Sequence, residues 1–182
     1  MGRTYRRGES FLLVRHGRPS AVRPQVRSGC AVFSVGFVLA IWAITTIRGA
    51  GTRVETGALT AGKAAYAMAK LGPSDIDAVE LYDAFTINTI LFLEDLGFCK
   101  KGEGGAFVSG GRIGPNGSLA VNTISYCHPG MYGLFLLIEA VRQLRGECGG
   151  RQVKNCEVAL AHGNGGVLSS QATVILGTQA TL

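Results

Sequence analysis

Two histidines sit beside glycine-rich turns. His128 lies in Ser125-Tyr126-Cys127-His128-Pro129-Gly130-Met131-Tyr132-Gly133, and His162 lies in Ala161-His162-Gly163-Asn164-Gly165-Gly166. Imidazole exchanges protons near neutral pH, so either ring is a candidate acid or base. Pro129 biases His128 to an extended backbone, and the apolar helix pattern after it offers free N–H groups and a positive dipole end. The N–H groups of Asn164, Gly165 and Gly166 can likewise face an anionic oxygen. Tyr82, in Tyr82-Asp83-Ala84-Phe85, and Tyr126 add two phenols able to donate to a carbonyl. Each residue type also has a plain structural use: a histidine can tie a turn together, and a tyrosine can pack with a polar tip at the surface.

Metal chemistry is not expected. The three histidines and five cysteines do not cluster at ligand spacing. Cys30, Cys99, Cys127, Cys148 and Cys156 form no CxxC pair, which suggests free thiols and a reducing, cytoplasmic setting. The net charge of +6 belongs to one end of the chain. Residues 1–50 hold eight arginines and one glutamate, whereas residues 51–182 hold ten Lys/Arg and eleven Asp/Glu. No bulk charge in the larger part favours nucleic acid.

These side chains need a scaffold, and from about residue 54 the patterns become regular. Helical periodicity runs over Ala58–Leu71, stopped by Gly72-Pro73. Ala78–Tyr82 alternates as a strand, Thr86–Leu96 reads as an apolar helix ended by Gly97, and Leu119–Asn122 as a short strand. Residues 100–118 hold seven glycines and are expected to form a long loop. Tyr132–Leu144 is a helix expected to turn Leu134, Leu137, Ile138, Val141 and Leu144 to one broad face. Glu157–Ala161 and Ser169–Leu176 read as an antiparallel hairpin across a His162–Gly166 turn. The expected fold class is α/β, a mixed sheet covered by helices.

Residues 1–50 are expected to stand apart from this domain as a basic and apolar segment. The uncharged stretch from Ser28 to Ile47 is long enough to cross a bilayer as a helix. A buried appendage, or a segment foreign to the domain, fits the same composition.

Over about residues 54–180 the motifs resemble the C-terminal half of a thiolase, in the sterol-carrier/lipid-transfer-type branch of thiolase-like acyltransferases. Four features carry the resemblance in the family's order: Tyr82-Asp83-Ala84-Phe85, Gly102-Glu103-Gly104-Gly105, Cys127-His128-Pro129, and His162-Gly163-Asn164-Gly165-Gly166. The resemblance implies a βαβαββ half of a layered α/β/α/β/α body. It implies a homodimer or a complementary N-terminal half that carries the nucleophilic cysteine. It further implies an acyl-CoA or sterol-CoA thioester as substrate, with no separate cofactor.

By the same resemblance, His128 activates the cysteine and stabilises the thioester oxygen. His162 stands where many thiolases carry an acid/base cysteine, and Tyr82 where they carry an asparagine that holds an oxyanion-hole water. Cys127 stands where the family has glycine. Asn122-Thr123-Ile124-Ser125 runs straight into Tyr126, where this branch inserts a glycine-rich turn. Paired tyrosines also resemble thiolase-fold retro-aldolases acting on steroid side-chain CoA thioesters. A catalytically inactive remnant is the third expectation.

Overall fold

The computed structural model describes residues 55–114, 117–124, 132–166, 168 and 170–181, and the backbone alone of 32–41 and 179. The elements are β1 (Val32–Ile41), α1 (Ala58–Ala69), β2 (Ala78–Leu81), α2 (Thr86–Asp95), α3 (Gly104–Val108), β3 (Ala120–Val121), α4 (Tyr132–Leu144), β4 (Val158–Gly165) and β5 (Ser170–Thr178). They build one five-stranded sheet in the order β1-β5-β4-β2-β3. β2 runs parallel to β3 and β4, while β5 is antiparallel to both of its neighbours, β4 and β1. This is the expected α/β class.

Strand periodicity divides the core between the two faces of the sheet. On one face Val79, Leu81, Val158, Leu160 and Ile175 pack with Ala58 and Ala65 of α1 and Phe92 and Leu93 of α2. On the other face Ala78, Ala159, Ala161, Val174 and Leu176 pack with Leu136, Ala140 and Leu144 of α4. The connections account for this split. The chain moves one way across the sheet through α1 and α2 and back through α4, and crossovers of one hand put those helices on opposite faces.

Four differences from the sequence expectations have physical causes. First, the backbone of Val32–Ile41 is a strand, paired from Val32↔Thr178 to Ile41↔Ser170, rather than part of a crossing helix. The run Val-Phe-Ser-Val-Gly-Phe-Val-Leu-Ala-Ile is rich in β-branched and aromatic residues. A register shift falls between Ser34 and Gly36. Among the described residues, no helix is long and apolar enough to cross a membrane.

Second, residues 100–118 contain the helix α3 and a further 3₁₀ turn, Ser109–Gly111. Glu94 Oε1 accepts from the N–H groups of Gly102 (3.0 Å) and Gly104 (2.9 Å) and so organises the turn before α3. A Cβ at Gly104 would lie 2.6 Å from Ile90 Cγ2, so glycine permits this approach to α2.

Third, β4 runs through Gly165, so Gly163 and Asn164 are ladder residues opposite Ala172 and Gln171 rather than parts of a tight turn. Fourth, α4 faces the sheet with Tyr132, Leu136, Glu139, Ala140, Gln143 and Leu144. Of the expected apolar face, Leu144 is buried and Leu137 and Val141 pack against the core, while Leu134 and Ile138 turn outward, 51 % and 42 % exposed. Glu139 and Gln143 tolerate burial because each meets several polar partners beneath the helix.

Candidate functional site

The parallel strands β2, β3 and β4 present their carboxyl ends at one edge, with β4 running on to Gly165 beyond its last pair with β2, and open α/β sheets commonly bind ligands at the carboxyl ends of such strands. The N–H of Tyr82, one residue past β2, donates to the carbonyl of His162 on β4 at 3.0 Å. Next to β2 on its other side, the Asn122 N–H donates to Val79 O at 2.8 Å and Asn122 Oδ1 accepts from the Leu81 N–H at 2.6 Å. Asn122 has φ 50°, in the left-handed region that asparagine enters more readily than most residues. Sequence motifs about 40 and 80 positions apart are thereby brought to one edge of the molecule.

Tyr82 is half-buried at this edge. Its ring packs against that of Tyr132, with centroids 4.3 Å apart and planes tilted by 59°. The Tyr132 hydroxyl also accepts a long hydrogen bond, 3.4 Å, from the Asp83 N–H. Tyr132 opens α4, so the pair fixes the start of that helix over the end of β2. Tyr126 and His128 lie outside the described residues, as does Cys127.

His162 is fully enclosed on the face covered by α2. Its Nδ1 lies 2.8 Å from Thr173 Oγ1, its Nε2 lies 2.6 Å from Gln171 Oε1, and Phe92 meets the ring edge-on at 4.7 Å. A carbonyl oxygen only accepts, so Nε2 carries the ring hydrogen and Nδ1 accepts from the threonine hydroxyl. Both nitrogens are thus occupied. Burial lowers the pKa to about 4, outweighing the Gln171 hydrogen bond, which acts in the other direction. In this arrangement His162 is a neutral, internally bonded ring at neutral pH rather than one displayed on a turn.

The partners follow from register. His162 pairs with Thr173 and Asn164 with Gln171, so all four side chains share one face of the hairpin. Gln171 Nε2 reaches Asn164 Oδ1 at 3.5 Å, extending the polar row toward the strand end. A Cβ at Gly165 would run into the Ser170 side chain, so glycine lets β4 and β5 stay paired there. Gly166 has φ 59° and is exposed, which suits the reversal that begins after β4.

A second polar cluster lies under α4. Glu80 of β2 and Glu139 of α4 are both fully buried and both meet the hydroxyl of Thr123. Arg151 pairs with Glu139 at 3.1 Å. Sequence reasoning passed over these residues, and over Tyr132, Gln171 and Thr173. The available signals were a lone glutamate inside an apolar strand, and two polar residues at period two on the strand facing His162.

The comparisons with known proteins match this architecture. Residues 45–178 match the family described as thiolase C-terminal domain-like. An acetyl-CoA acetyltransferase of Methanothermobacter thermautotrophicus is 43 % identical over 129 residues, covering 68 % of this chain and 33 % of that protein. Sterol carrier protein 2 of Rattus norvegicus is 44 % identical over 125 residues, covering 64 % of this chain and 22 % of that protein. A solved structure, "Ltp2-ChsH2(DUF35) aldolase", superposes with a TM-score of 0.71 at 28 % identity, covering 85 % of this chain and 41 % of its own. The chain therefore spans about a third or less of these two curated relatives. With the family match extending over most of its length and the strand ends arranged as above, the chain belongs to the thiolase C-terminal domain-like family.

Proposed function

We propose that this chain is the carboxyl-terminal part of a thiolase-like acyltransferase that makes or breaks a carbon–carbon bond in a 3-ketoacyl-CoA-type thioester. The observation that carries the reading is the meeting of Tyr82, the end of β3 and the His162–Gly165 strand end at one edge of a parallel sheet. In thiolytic cleavage a cysteine thiolate adds to the 3-keto carbon. The bond to the next carbon breaks, its electron pair forms the enolate of the departing thioester, and a proton is delivered there. The acyl group then passes from cysteine to free CoA. The cysteine would come from a complementary N-terminal half. The outward apolar stripe of α4, with Leu134 and Ile138 exposed, supports such packing.

In this reading His128 activates the cysteine and holds the thioester oxygen, and the strand end at Asn164, Gly165 and Gly166 shapes the wall beside the oxyanion, Gly165 through its pairing with Ser170. Tyr126 and Tyr82 present phenols to the substrate carbonyl. His162 supports the strand end from inside, and its enclosed ring is poorly placed to hand a proton directly to the substrate carbon.

The enclosure of His162 together with the Tyr82–Tyr132 pair favours a second reading, retro-aldol cleavage of a steroid or lipid side-chain CoA thioester. There a 3-hydroxyl loses its proton, the adjacent bond breaks, and its electron pair becomes the enolate of a shortened thioester, which is then protonated. A ketone or aldehyde is released and no CoA is consumed. Among similar proteins, a 17-hydroxy-3-oxo-4-pregnene-20-carboxyl-CoA lyase of Mycobacterium tuberculosis is 43 % identical over 91 residues.

One experiment separates the readings. The full chain, alone and mixed with a thiolase N-terminal half, is incubated with 3-ketoacyl-CoA plus CoA, and separately with 3-hydroxyacyl-CoA thioesters. Consumption of free CoA only in the mixture supports the acyltransferase. A released ketone or aldehyde without CoA consumption supports the aldolase. Absence of turnover and of thioester binding in every mixture would overturn both and leave an inactive remnant.

A further inference from the structure

We propose that Glu80 is a neutral carboxylic acid in the folded protein, and that its proton closes a donor chain from Glu80 to Thr123 to Glu139 that locks the end of β3 against α4. The inference stands independently of the proposed reaction. Thr123 Oγ1 lies 2.6 Å from Glu80 Oε1, 2.9 Å from Glu139 Oε1 and 2.9 Å from Gln143 Nε2. A hydroxyl has one hydrogen and two lone pairs. The Gln143 amide nitrogen only donates, so it takes one lone pair. One hydrogen and one lone pair remain for two carboxyl oxygens. If both carboxyls were ionised, one contact would set lone pair against lone pair between two buried negative charges.

A single proton resolves the conflict, and the surroundings decide which carboxyl holds it. Glu139 faces Arg151, with Nη2 at 3.1 Å from Oε2 and 3.3 Å from Oε1. Burial raises its pKa, but the Arg151 and Thr123 hydrogen bonds outweigh that and hold it below the usual carboxylate range. Among the described residues, Glu80 Oε1 meets only the Thr123 N–H, at 3.2 Å, besides the Thr123 hydroxyl, and Oε2 has no hydrogen-bond partner. The proton therefore sits on Glu80 Oε1 and points at Thr123, and 2.6 Å suits O–H···O geometry. Thr123 then donates onward to Glu139.

The other titratable groups around Glu80 do not upset this assignment. Arg151 acts mainly on Glu139, its ion-pair partner. Burial holds Cys148 and Cys156 well above the usual thiol range, so both are neutral. β4 brings only Ala159 and Ala161 to this face. Burial also pushes Glu80 itself up to about 7, with the Thr123 hydrogen bonds opposing and Glu139 adding to the rise.

The lock reaches further than one contact. Gln143 also donates to Arg151 O and accepts from the Val153 N–H, so the cluster ties β2, β3, α4 and the turn before β4 together. Thr123 is the root of the chain segment that leads to Tyr126 and His128. Loss of the Glu80 proton places two carboxylates on one hydroxyl and weakens that root, which makes the junction sensitive to pH near neutrality.

The test uses the full chain with ¹³C-carboxyl glutamate and infrared difference spectroscopy. The expected result is a labelled carbonyl stretch of a protonated acid at pH 6 that disappears on titration through neutrality and is absent in Glu80→Gln. The Gln amide keeps a donor toward Thr123 without a titrating proton. The folding equilibrium constant of the native chain, relative to Glu80→Gln, should fall on the order of 100-fold between pH 5 and 8. A carboxylate band alone at pH 6, or the same pH dependence in both proteins, would overturn the proposal. The labelled native chain decides the matter even if the variant does not fold.

Discussion

His162 Nε2 lies 2.6 Å from Oε1 of Gln171, two residues along β5 from the threonine that holds the other ring nitrogen. The ring is a bridge between two strands rather than a free imidazole. Replacing it with alanine opens a cavity beside Phe92 and leaves two buried polar groups without partners. His162→Ala should lower stability by roughly 2–4 kcal/mol. Thr173→Val should lower it by about 1–3 kcal/mol. Urea denaturation measures both, and a surface-like change below about 0.5 kcal/mol for either would contradict the buried bridge.

Two of the buried titrating groups, Glu80 and His162, give opposite pH slopes. Glu80 rises from 4.5 unfolded to about 7 folded, so its contribution is full below pH 4.5 and is lost as pH rises through 7. His162 falls from 6.5 to about 4, so its contribution is present above pH 6.5 and is lost as pH falls through 4. Each spans up to roughly 3 kcal/mol at 1.36 kcal/mol per pKa unit. The native chain should therefore show a shallow net slope from these groups between pH 4.5 and 6.5. Glu80→Gln should uncover a rise with pH, and His162→Gln a fall. Denaturation midpoints across pH 4–8 read both, and unchanged profiles would place the titrations elsewhere.

Glu94 Oε1 accepts two amide hydrogens of the glycine-rich turn, while Asp95 accepts from the Thr56 N–H and from Lys101 Nζ. Glu94→Ala should leave the sheet intact but raise amide exchange at Gly102 and Gly104 by about tenfold, for a net loss near 1.4 kcal/mol. Exchange that stays at the native rate would show that the turn holds without its carboxylate.

For the proposed chemistry, Tyr82→Phe removes one hydroxyl while keeping the ring stack on Tyr132. If cleavage is retro-aldol, kcat should drop about 10²- to 10⁴-fold, the range expected for a lost proton donor or acceptor. If it is thiolytic, the change should stay within about tenfold. Rates on the matching thioesters discriminate the two.

The outward stripe of α4 makes the remaining prediction. Leu134→Glu and Ile138→Glu should leave the isolated chain folded, because both residues are exposed, yet weaken association with a complementary half at least tenfold. Analytical ultracentrifugation of the mixture tests this, and undiminished association would put the contact elsewhere.

Much of the scaffold was legible along the chain. The helix Tyr132–Leu144, strand β2 and the final hairpin follow from periodicity, because side-chain spacing alone distinguishes a helical stripe from strand alternation. The family was legible too, through four short motifs in order. Local pattern failed for β1, whose uncharged run reads equally well as a helix until the free edge of β5 pairs with it. It was incomplete for α4, where Leu144, Leu137 and Val141 of the apolar face pack toward the core while Leu134 and Ile138 stay exposed.

The sequence by itself determined which residue types are present and which local segments they form, since propensity and periodicity act over a few neighbours. The tertiary structure decided what those residues can do. Only strand register could set His162 against Thr173 and Gln171, and only the return of α4 across the sheet could put Glu139 over Thr123 and Glu80. The reason is that proton positions and solvent access depend on groups far apart in the chain, brought together by packing.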